Sequence, residues 1–422
     1  MNAPSPPARP ALMRDVRLLF ITRVVRMFAY GFLSLVLVLY LAAAGLSEER
    51  IGLLLTMTLV GDTLLSLWIT TSADWVGRKW MLLAGAGLMV LGGAVFAATG
   101  NFWLLLLAAT IGVISPSGNE VGPFLAIEQA ALAQVVAPQR RTLTLAWYNL
   151  AGSLGTAMGA LLCGLLVQSL QAHEVGPLDS YRVVLLAYAG AGVLLATLFL
   201  RLSRAAEAPT PAPGEAVPPR RLLGLHRSRG TVMRLSMLFA LDAFGGGFVL
   251  QSIIAFWFHA RFGADPATLG GIFFGANLLA AVSALAAAAL ARRVGLLNTM
   301  VFTHVPSNIL LILVPLMPTL PLAVAVLLAR FAISQMDVPA RQSYTAAVVS
   351  EDERSAAAGV TGVARTAGAA LAPVFAGPLL ARPGLAGMPF LVAGLLKLLY
   401  DGLLYRFFRG VLPPEEVAPN RP

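Results

Sequence analysis

The chain has 422 residues, of which 58% are hydrophobic and 12% are charged, and its net charge is +10. A soluble domain carries about 25% charged residues, so this composition excludes an ordinary soluble protein. The positive charge does not indicate nucleic-acid binding, because the cations lie in short loops and tails between long apolar runs. The single cysteine, Cys163, excludes an internal disulfide and a multi-cysteine metal site.

Twelve apolar runs follow one another along the chain, and each is long enough to cross a bilayer as a helix of about 20 residues. The first six are residues 18–44, 51–71, 81–98, 102–134, 142–170 and 182–202. The last six are residues 232–259, 269–291, 296–317, 320–349, 356–380 and 389–408. Polar residues and prolines interrupt the fourth and tenth runs, so we expect these two helices to be the least regular. The pattern predicts an all-α membrane protein.

A short charged loop joins the second and third runs. It holds Asp74, Gly77, Arg78 and Lys79. Gly77 can adopt a positive φ and turn the chain tightly, and the two cations are typical of the cytoplasmic side of a membrane. A carboxylate such as Asp74 is favoured near a helix N-terminus, which makes this loop a candidate gate.

A Pro-rich and basic segment separates the first six runs from the last six. Residues 205–230 contain five prolines and four arginines, a composition typical of a solvated linker. We therefore predict an N-terminal tail at residues 1–17, a six-helix bundle at 18–204, a linker at 205–230, a second six-helix bundle at 231–409 and a tail at 410–422.

The two sets of runs are related by an internal repeat, in which glycines and cations recur at a nearly constant offset. The pairs are Arg141 and Arg354, Gly155 and Gly368, and Gly164 and Gly377, each 213 positions apart, Gly31 and Gly247, 216 apart, and Gly77 and Gly295, 218 apart. Duplicated six-helix halves are typical of transporters built from parallel repeats.

The loop at residues 74–79, with Asp74, Gly77, Arg78 and Lys79, resembles the signature of the major facilitator superfamily between its second and third helices. The first glycine of that signature falls on Thr70 here. With the repeat, the resemblance covers nearly the whole chain. It implies the superfamily fold of two six-helix bundles related by a pseudo-twofold axis, and a location in the inner membrane of a bacterium. Because cations concentrate at both ends, in the linker and in alternate loops, we expect both termini to be cytoplasmic.

Charged residues inside the runs are the candidates for function, since a charge at the bilayer centre costs at least about 2.5–3.5 kcal/mol. Thr58, Asp62, Ser66 and Thr70 lie four residues apart and form one polar stripe. Protonation near neutral pH is accessible to a buried carboxylate, so we predict Asp62 as the proton-coupling acid. The alternative is an ion pair with an arginine of the first run.

Opposite charges occupy equivalent positions in the first and seventh runs. Arg26 and Tyr30 share one helical face, which we expect to line a substrate cavity. Asp242 lies 216 positions after Arg26, so the repeat predicts that these two residues meet, directly or through one water, in at least one transport state. The pair is either static or, with Asp242, part of proton coupling. His304 either titrates near neutral pH or makes a helix contact.

The fourth and tenth runs are interrupted at matching places, which is the best indication of a binding site in repeated transporters. We expect Asn119 and Asp337 to line the substrate cavity and Glu120 to be a further proton-coupling acid. Glu128 and Arg341 are 213 positions apart, and we interpret both as gating residues on the cytoplasmic side.

The resulting prediction is a secondary active transporter that works by alternating access, with proton-coupled efflux of a small organic compound as the first choice. Proton-coupled uptake of an anionic metabolite is the alternative that Arg26, Arg330 and Arg365 suggest. A non-transporting receptor or scaffold is a third possibility, and it leaves Asp62 and Asp242 without a purpose.

No metal-ligand cluster and no nucleophile–base motif is present in the sequence, so we predict no catalytic residues, no enzymatic activity, no cofactor and no metal. The expected partners are a small-molecule substrate, protons and the lipid bilayer, without nucleic acid. We expect a monomer.

Overall fold

The computed structural model describes residues 9–120, 122–137, 140–207, 226–350 and 353–411. Sixteen α-helices occupy most of this part of the chain. Up to residue 207 they are α1 (Arg9–Ala43), α2 (Glu48–Val76), α3 (Arg78–Ala98), α4 (Phe102–Ile111), α5 (Phe124–Val135), α6 (Arg141–Ala172) and α7 (Pro177–Leu200). From residue 226 they are α8 (Arg229–Gly247), α9 (Gln251–Phe262), α10 (Pro266–Val294), α11 (Leu296–Leu313), α12 (Leu320–Ser334), α13 (Asp337–Ala347), α14 (Arg354–Leu371), α15 (Pro373–Leu380) and α16 (Met388–Phe408).

Eleven helical segments of the described residues are long and apolar enough to cross a membrane. The fourth predicted span is divided into the shorter apolar helices α4 and α5. Between them the backbone leaves the helix, because Pro116 and Pro123 lack an N–H donor and Gly118 and Gly122 adopt positive φ angles of 69° and 79°. The tenth span is interrupted more briefly, at Gln335 and Met336 between α12 and α13. The irregularity that the sequence predicts for these two spans is confirmed.

The chain forms two compact units. The first comprises Met1–Leu46, Gly61–Ala216 and Asp265–Phe274, and the second comprises Ser47–Val60, Val217–Ala264 and Gly275–Pro422. The start of α2 is thus grouped with the second unit and the start of α10 with the first, unlike the predicted bundles. Much of both predicted tails and of the predicted linker lies outside the described residues, so these boundaries stay a prediction.

Close contacts at glycines explain why the start of α2 is grouped with the second unit and the start of α10 with the first. In the second unit, a Cβ on Gly52 of α2 would come within 2.4 Å of the carbonyl oxygen of Pro373. In the first unit, a Cβ on Gly164 of α6 would come within 2.3 Å of the carbonyl oxygen of Pro266 at the start of α10. Real Cβ atoms do not approach a backbone oxygen so closely, so these helix contacts exist only because both positions are glycine.

Equivalent helices pack in the same way inside each unit. Where α1 meets α6, a Cβ on Gly31 would lie 2.1 Å from the carbonyl oxygen of Thr156. Where α8 meets α14, a Cβ on Gly247 would lie 2.4 Å from that of Ala369. Thr156 and Ala369 are themselves 213 positions apart. The packing therefore confirms the repeat that pairs Gly31 with Gly247.

The turns that precede α3 and α11 repeat as well. Gly77 has a φ of 108° and Gly295 a φ of 87°, and each residue is the N-cap of the helix that follows it. L-residues with a side chain rarely adopt these angles. The tight turn predicted at Gly77 is confirmed, and its repeat partner makes the same turn.

Candidate functional site

The first unit contains a buried network that we call the N-terminal charge cluster, formed by Arg23, Arg26, Glu120 and Glu128. Arg26 lies on α1 and is completely buried. Its Nε donates to Glu120 Oε1 at 2.9 Å, and its Nη2 donates to Glu128 Oε2 at 2.6 Å. Arg23, one helical turn earlier, also pairs with Glu120. Two guanidinium groups thus face two carboxylates, which removes most of the cost of burying the four charges.

Neighbouring side chains complete the N-terminal charge cluster. Glu128 accepts further hydrogen bonds from Thr22 Oγ1 at 2.7 Å and from the Tyr148 hydroxyl. The guanidinium of Arg26 lies 4.8 Å from the centroid of the Phe124 ring, and that of Arg23 lies 5.0 Å from the centroid of Tyr148. Aromatic faces attract cations, so the arginines are held by α5 and α6 as well as by the carboxylates.

Asp62 on α2 is buried but stands apart from this cluster. Its carboxylate accepts a hydrogen bond from the backbone N–H of Gly122 and one from Ser66 Oγ at 3.3 Å. Among the described residues, Asp62 has no cation within ion-pair distance. The alternative interpretation, a pair with an arginine of α1, is therefore not realised in this structure. The contact with Ser66 confirms one step of the predicted polar stripe.

The second unit contains the C-terminal charge cluster, formed by Asp242, Asp337, Arg341, Arg365 and Lys397. Asp242 of α8 receives Lys397 Nζ at 2.6 Å, Arg341 Nη1 at 3.3 Å and, more distantly, Arg365 Nη1 at 3.7 Å. Arg341 also donates to Asp337 at 3.0 Å, one turn earlier on α13. Four helices, α8, α13, α14 and α16, thus contribute charges to one place.

A second carboxylate, Asp401 of α16, is connected to this cluster through His304 of α11. His304 Nδ1 lies 2.8 Å from Asp401 Oδ1, and its Nε2 lies 3.7 Å from Asp242. Asn308 donates to the other oxygen of Asp401 at 2.9 Å. His304 therefore lies between two carboxylates, whereas the sequence suggested either a helix contact or an isolated titrating group.

The two clusters contain the same ion pair with its charges exchanged. Arg26 pairs with Glu128 in the first unit, and Asp242 pairs with Arg341 in the second. Asp242 is the repeat equivalent of Arg26, and Arg341 is that of Glu128. In this structure each of the two residues is paired within its own unit, so a meeting of Arg26 and Asp242 in some transport state stays a prediction.

The remaining cavity candidates have different environments. Tyr30 is completely buried with its ring centroid 6.4 Å from that of Tyr188, so it packs in the core. Asn119 is exposed, and its carbonyl accepts from Ser115 Oγ at 2.7 Å. The guanidinium of Arg330 lies 4.9 Å from the centroid of the Phe331 ring, and its Nε has no hydrogen-bond partner in the described part of the chain.

The charged loop before α3 binds the end of α7. Lys79 Nζ donates to the carbonyl of Leu200 at 2.6 Å, where the dipole of α7 favours a cation. The backbone N–H groups of Arg78 and Lys79 donate to the carboxylate of Glu207 at 2.7 Å and 3.1 Å. Glu207 therefore occupies the N-terminus of α3. The side chain of Asp74 lies outside the described residues, so its gating role stays a prediction.

Gating by Glu128 and Arg341 also stays a prediction. Both side chains are buried within the charge clusters, with 0% and 6% of their surfaces exposed. A gate built from them would have to open by breaking the ion pairs with Arg26 and Asp242.

Sequence reasoning missed Lys397, Asp401 and Tyr148. The first two were detectable, because they are charges four residues apart inside a long apolar run. Tyr148 gave no such signal, since a tyrosine near the start of an apolar helix is common. No group of three His, Cys, Asp or Glu side chains suited to a metal ion occurs among the described residues.

The family model of the Major Facilitator Superfamily matches residues 19–373. A membrane protein of Saccharomyces cerevisiae, the uncharacterized YJR124C, is 31% identical over 425 residues that cover 94% of this chain and 95% of the yeast protein. The chain therefore belongs to the Major Facilitator Superfamily.

Solved structures of the same fold agree with this assignment. A variant of the nucleoside transporter NupG superposes with a TM-score of 0.75 at 13% identity, over 93% of this chain and all of that one. A D-xylose-proton symporter gives a TM-score of 0.69 at 13% identity, over 94% of this chain and 97% of that one. At these identities the likeness shows the fold alone. With the family membership, it defines a multi-pass membrane transporter.

Proposed function

We propose that this protein is a proton-coupled secondary transporter of a small organic compound, and that Asp62 is the group that binds the proton. One observation carries the proposal. Asp62 is a buried carboxylate without a cation partner among the described residues, whereas Glu120, Glu128 and Asp242 are all held by cations. A carboxylate held by cations stays ionised, while an isolated buried one gains from protonation. This favours Asp62 over Glu120 and Asp242, the two other predicted coupling acids.

The contacts of Asp62 suggest how its protonation would affect the segment between α4 and α5. Its carboxylate accepts from the N–H of Gly122, in the non-helical segment between α4 and α5. Glu120 lies two residues earlier in that segment and pairs with Arg23 and Arg26. Protonation of Asp62 weakens the hydrogen bond that its carboxylate accepts from Gly122. The segment between α4 and α5 is then held less firmly against α2, and α2 is less firmly linked to the N-terminal charge cluster. Alternating access requires a bistable element of this kind.

Efflux is our first choice for the direction of transport, and uptake of an anionic compound is the second. Arg330 and Arg365 favour the second choice. Both are cations in membrane-spanning helices. Among the described residues, Arg330 Nε has no hydrogen-bond partner, and Arg365 Nη1 lies 3.7 Å from its nearest carboxylate, Asp242. From the distribution of cations we infer cytoplasmic termini, and we propose a bacterial inner membrane as the location. The yeast relative shows that similar chains also occur in a eukaryote.

The test of proton coupling compares two carboxylate variants in proteoliposomes. A panel of sugars, nucleosides, carboxylates and organic cations is first screened for stabilisation of the purified protein, and the stabilising compounds are then used as radiolabelled substrates with and without an imposed pH gradient. Asp62→Asn should reduce gradient-driven transport at least about tenfold, because it removes the titratable group and keeps its size. Asp179→Asn is the matched control, since Asp179 is 66% exposed.

Gradient-driven transport by Asp62→Asn at the rate of the wild type would overturn the assignment of Asp62. Right-side-out and inside-out vesicles then distinguish efflux from uptake. Reporter tags at residue 213 and at the C-terminus should both read cytoplasmic, and a tag at Gly176 should read external. The reverse pattern would contradict the orientation inferred from charge.

A further inference from the structure

A cavity of about 330 Å³ lies in the second unit beside the C-terminal charge cluster. Helices α8, α13 and α14 form its walls. Three of the lining side chains are arginines, Arg341, Arg354 and Arg365, and the described residues that line the cavity include no acid. Pockets for small organic ligands begin at about this volume. A cavity with three guanidinium groups on its wall is suited to an anion.

Three cations share two carboxylates beside the cavity. Asp242 and Asp337 face three cations, Arg341, Arg365 and Lys397. A third carboxylate, Asp401, contacts His304 and Asn308 and, among the described residues, forms an ion pair with none of these three cations. The N-terminal charge cluster, in contrast, is neutral. Excess positive charge inside a membrane protein is costly, and a bound anion would remove that cost.

Of the three cations in the C-terminal charge cluster, Arg365 has the longest ion pair among the described residues. Lys397 and Arg341 lie 2.6 Å and 3.0 Å from their nearest carboxylates, whereas Arg365 Nη1 lies 3.7 Å from Asp242. This Nη1 is buried and makes no hydrogen bond to any described residue. The side chain of Arg365 as a whole is 34% exposed and lines the cavity, so a ligand in the cavity meets this guanidinium.

The rest of the wall defines what else the ligand must contain. Phe239, Val338 and Ala358 give the cavity an apolar side, and Thr345 and Thr361 add hydroxyl groups. Arg354 lies at the exposed start of α14, where its Nε donates to the carbonyl of Ala346 at 3.0 Å. A ligand that satisfies these surfaces has an anionic group at one end and an apolar body at the other.

We propose that this cavity binds the carboxylate of a small organic anion with an apolar body, and that Arg365 is its principal ligand. The planar guanidinium forms two parallel hydrogen bonds with a carboxylate, which an ammonium group cannot do. That the bound anion is also the transported substrate rests on the proposed function. Binding itself does not depend on proton coupling.

Equilibrium binding to the purified full-length protein tests the proposal, with benzoate as the probe and benzamide as its neutral counterpart. We expect benzoate to raise the melting temperature and to give a measurable Kd by calorimetry, and benzamide to do neither. Arg365→Gln should weaken benzoate binding about 10- to 100-fold, because a charged hydrogen-bonding partner is lost. Arg406→Gln is the control, since it makes the same charge change at an exposed site on α16.

Arg365→Lys and Arg354→Gln are made alongside. Arg365→Lys keeps the charge and loses the paired hydrogen bonds, so its Kd for benzoate should lie between those of the wild type and Arg365→Gln. Arg354 is exposed, so the Arg354→Gln variant should fold. Equal affinity for benzoate and benzamide, no benzoate binding at all, or wild-type affinity in Arg365→Gln would each overturn the proposal. Benzoate binding that persists in Asp62→Asn while gradient-driven transport is lost separates this site from the proton site. If the wild type does not bind benzoate but still shows gradient-driven transport of another compound, the anion site is overturned and the proposed proton-coupled transport is not.

Discussion

The N-terminal and C-terminal charge clusters start from the same ion pair and end with different electrostatics. In the first unit the pair is Arg26 with Glu128, completely buried, and every charge of its cluster has an opposite neighbour. In the second unit the pair is Asp242 with Arg341, and further cations have accumulated around the carboxylate. The duplicated scaffold has therefore kept the position of the pair while its sign and its surroundings diverged.

The two proposals assign different roles to the two units on the basis of this difference. In the first unit, one buried carboxylate, Asp62, has no cation partner among the described residues, which suits a proton site. In the cation-rich cluster of the second unit, Arg365 has the longest ion pair, at 3.7 Å from Asp242, which suits an anion site.

Removing one partner of the Arg26–Glu128 pair should have the largest effect on stability. Arg26→Leu leaves Glu128 charged and fully buried, which should cost about 3–5 kcal/mol of folding free energy. Melting temperature and yield of monodisperse protein measure the loss. The double variant Arg26→Leu, Glu128→Leu should recover most of it. Arg182→Leu, which breaks an exposed pair with Asp179, serves as the control and should change little. Wild-type stability of Arg26→Leu would contradict the assigned network.

The cation-rich cluster should tolerate the loss of one cation better. Lys397→Met removes the closest partner of Asp242, but Arg341 and Arg365 remain near the carboxylate. We expect a loss of about 1.5–3 kcal/mol, the contribution of a charged hydrogen bond. The same melting assay compares it with Arg26→Leu. A larger loss for Lys397→Met than for Arg26→Leu would reverse the comparison between the two clusters.

Repeat-equivalent glycines should differ in their tolerance of a methyl group. A Cβ on Gly368 would lie 2.3 Å from the carbonyl oxygen of Ala240, whereas one on Gly155 would lie 3.0 Å from that of Val24. Gly368→Ala should therefore cost about 1–3 kcal/mol through overpacking, and Gly155→Ala should cost less. Thermal melting of the two variants, side by side, shows whether the second unit is the more tightly packed at this helix pair. Equal losses would contradict the difference in geometry.

The smallest expected effect concerns a carboxylate outside the membrane. Glu353 accepts hydrogen bonds from the backbone N–H groups of Arg227 and Ser228, at 2.9 Å and 2.8 Å, and also from that of His226. These hydrogen bonds lower the pKa of Glu353 from its ordinary value of 4.5 to about 2. A depressed carboxyl pKa stabilises the folded state above the unfolded pKa, and the stabilisation disappears as the pH falls through the folded pKa.

The difference in melting temperature between the wild type and Glu353→Gln should therefore be constant from neutral pH down to about 5.5 and shrink below about 4.5. A difference that grows on acidification would contradict the assigned role of Glu353.

The membrane spans, the interrupted fourth and tenth helices, and the repeat were all readable from the sequence. Apolar runs of sufficient length predict spans, and Pro and Gly at known positions predict where helices break. The offset that pairs Gly31 with Gly247 reappears as an equivalent helix contact in each unit. The equivalence of Arg26 and Asp242 was readable too, because the two residues hold equivalent positions in their clusters.

The choice of ionic partner was not readable. Depth along a helix does not specify which neighbouring helix faces a side chain, so Arg26 and Asp242 were expected to meet although each had a closer partner in its own unit. For the same reason the sequence did not show that Asp62 has no cation partner among the described residues, since this depends on how the whole unit packs. Lys397 and Asp401 were visible as charges in an apolar run, but their connection to Asp242 through His304 depends on α8, α11 and α16 coming together.

By itself the sequence determined that this protein is a membrane-embedded helical transporter with two related halves, because hydrophobic length, turn residues and repeated spacing act locally along the chain. Only the tertiary structure decided which charges neutralise one another, and hence that Asp62 and Arg365 are the groups left over. Ion pairing depends on distances of a few ångströms between residues far apart in the chain, and those distances are set by how the helices pack.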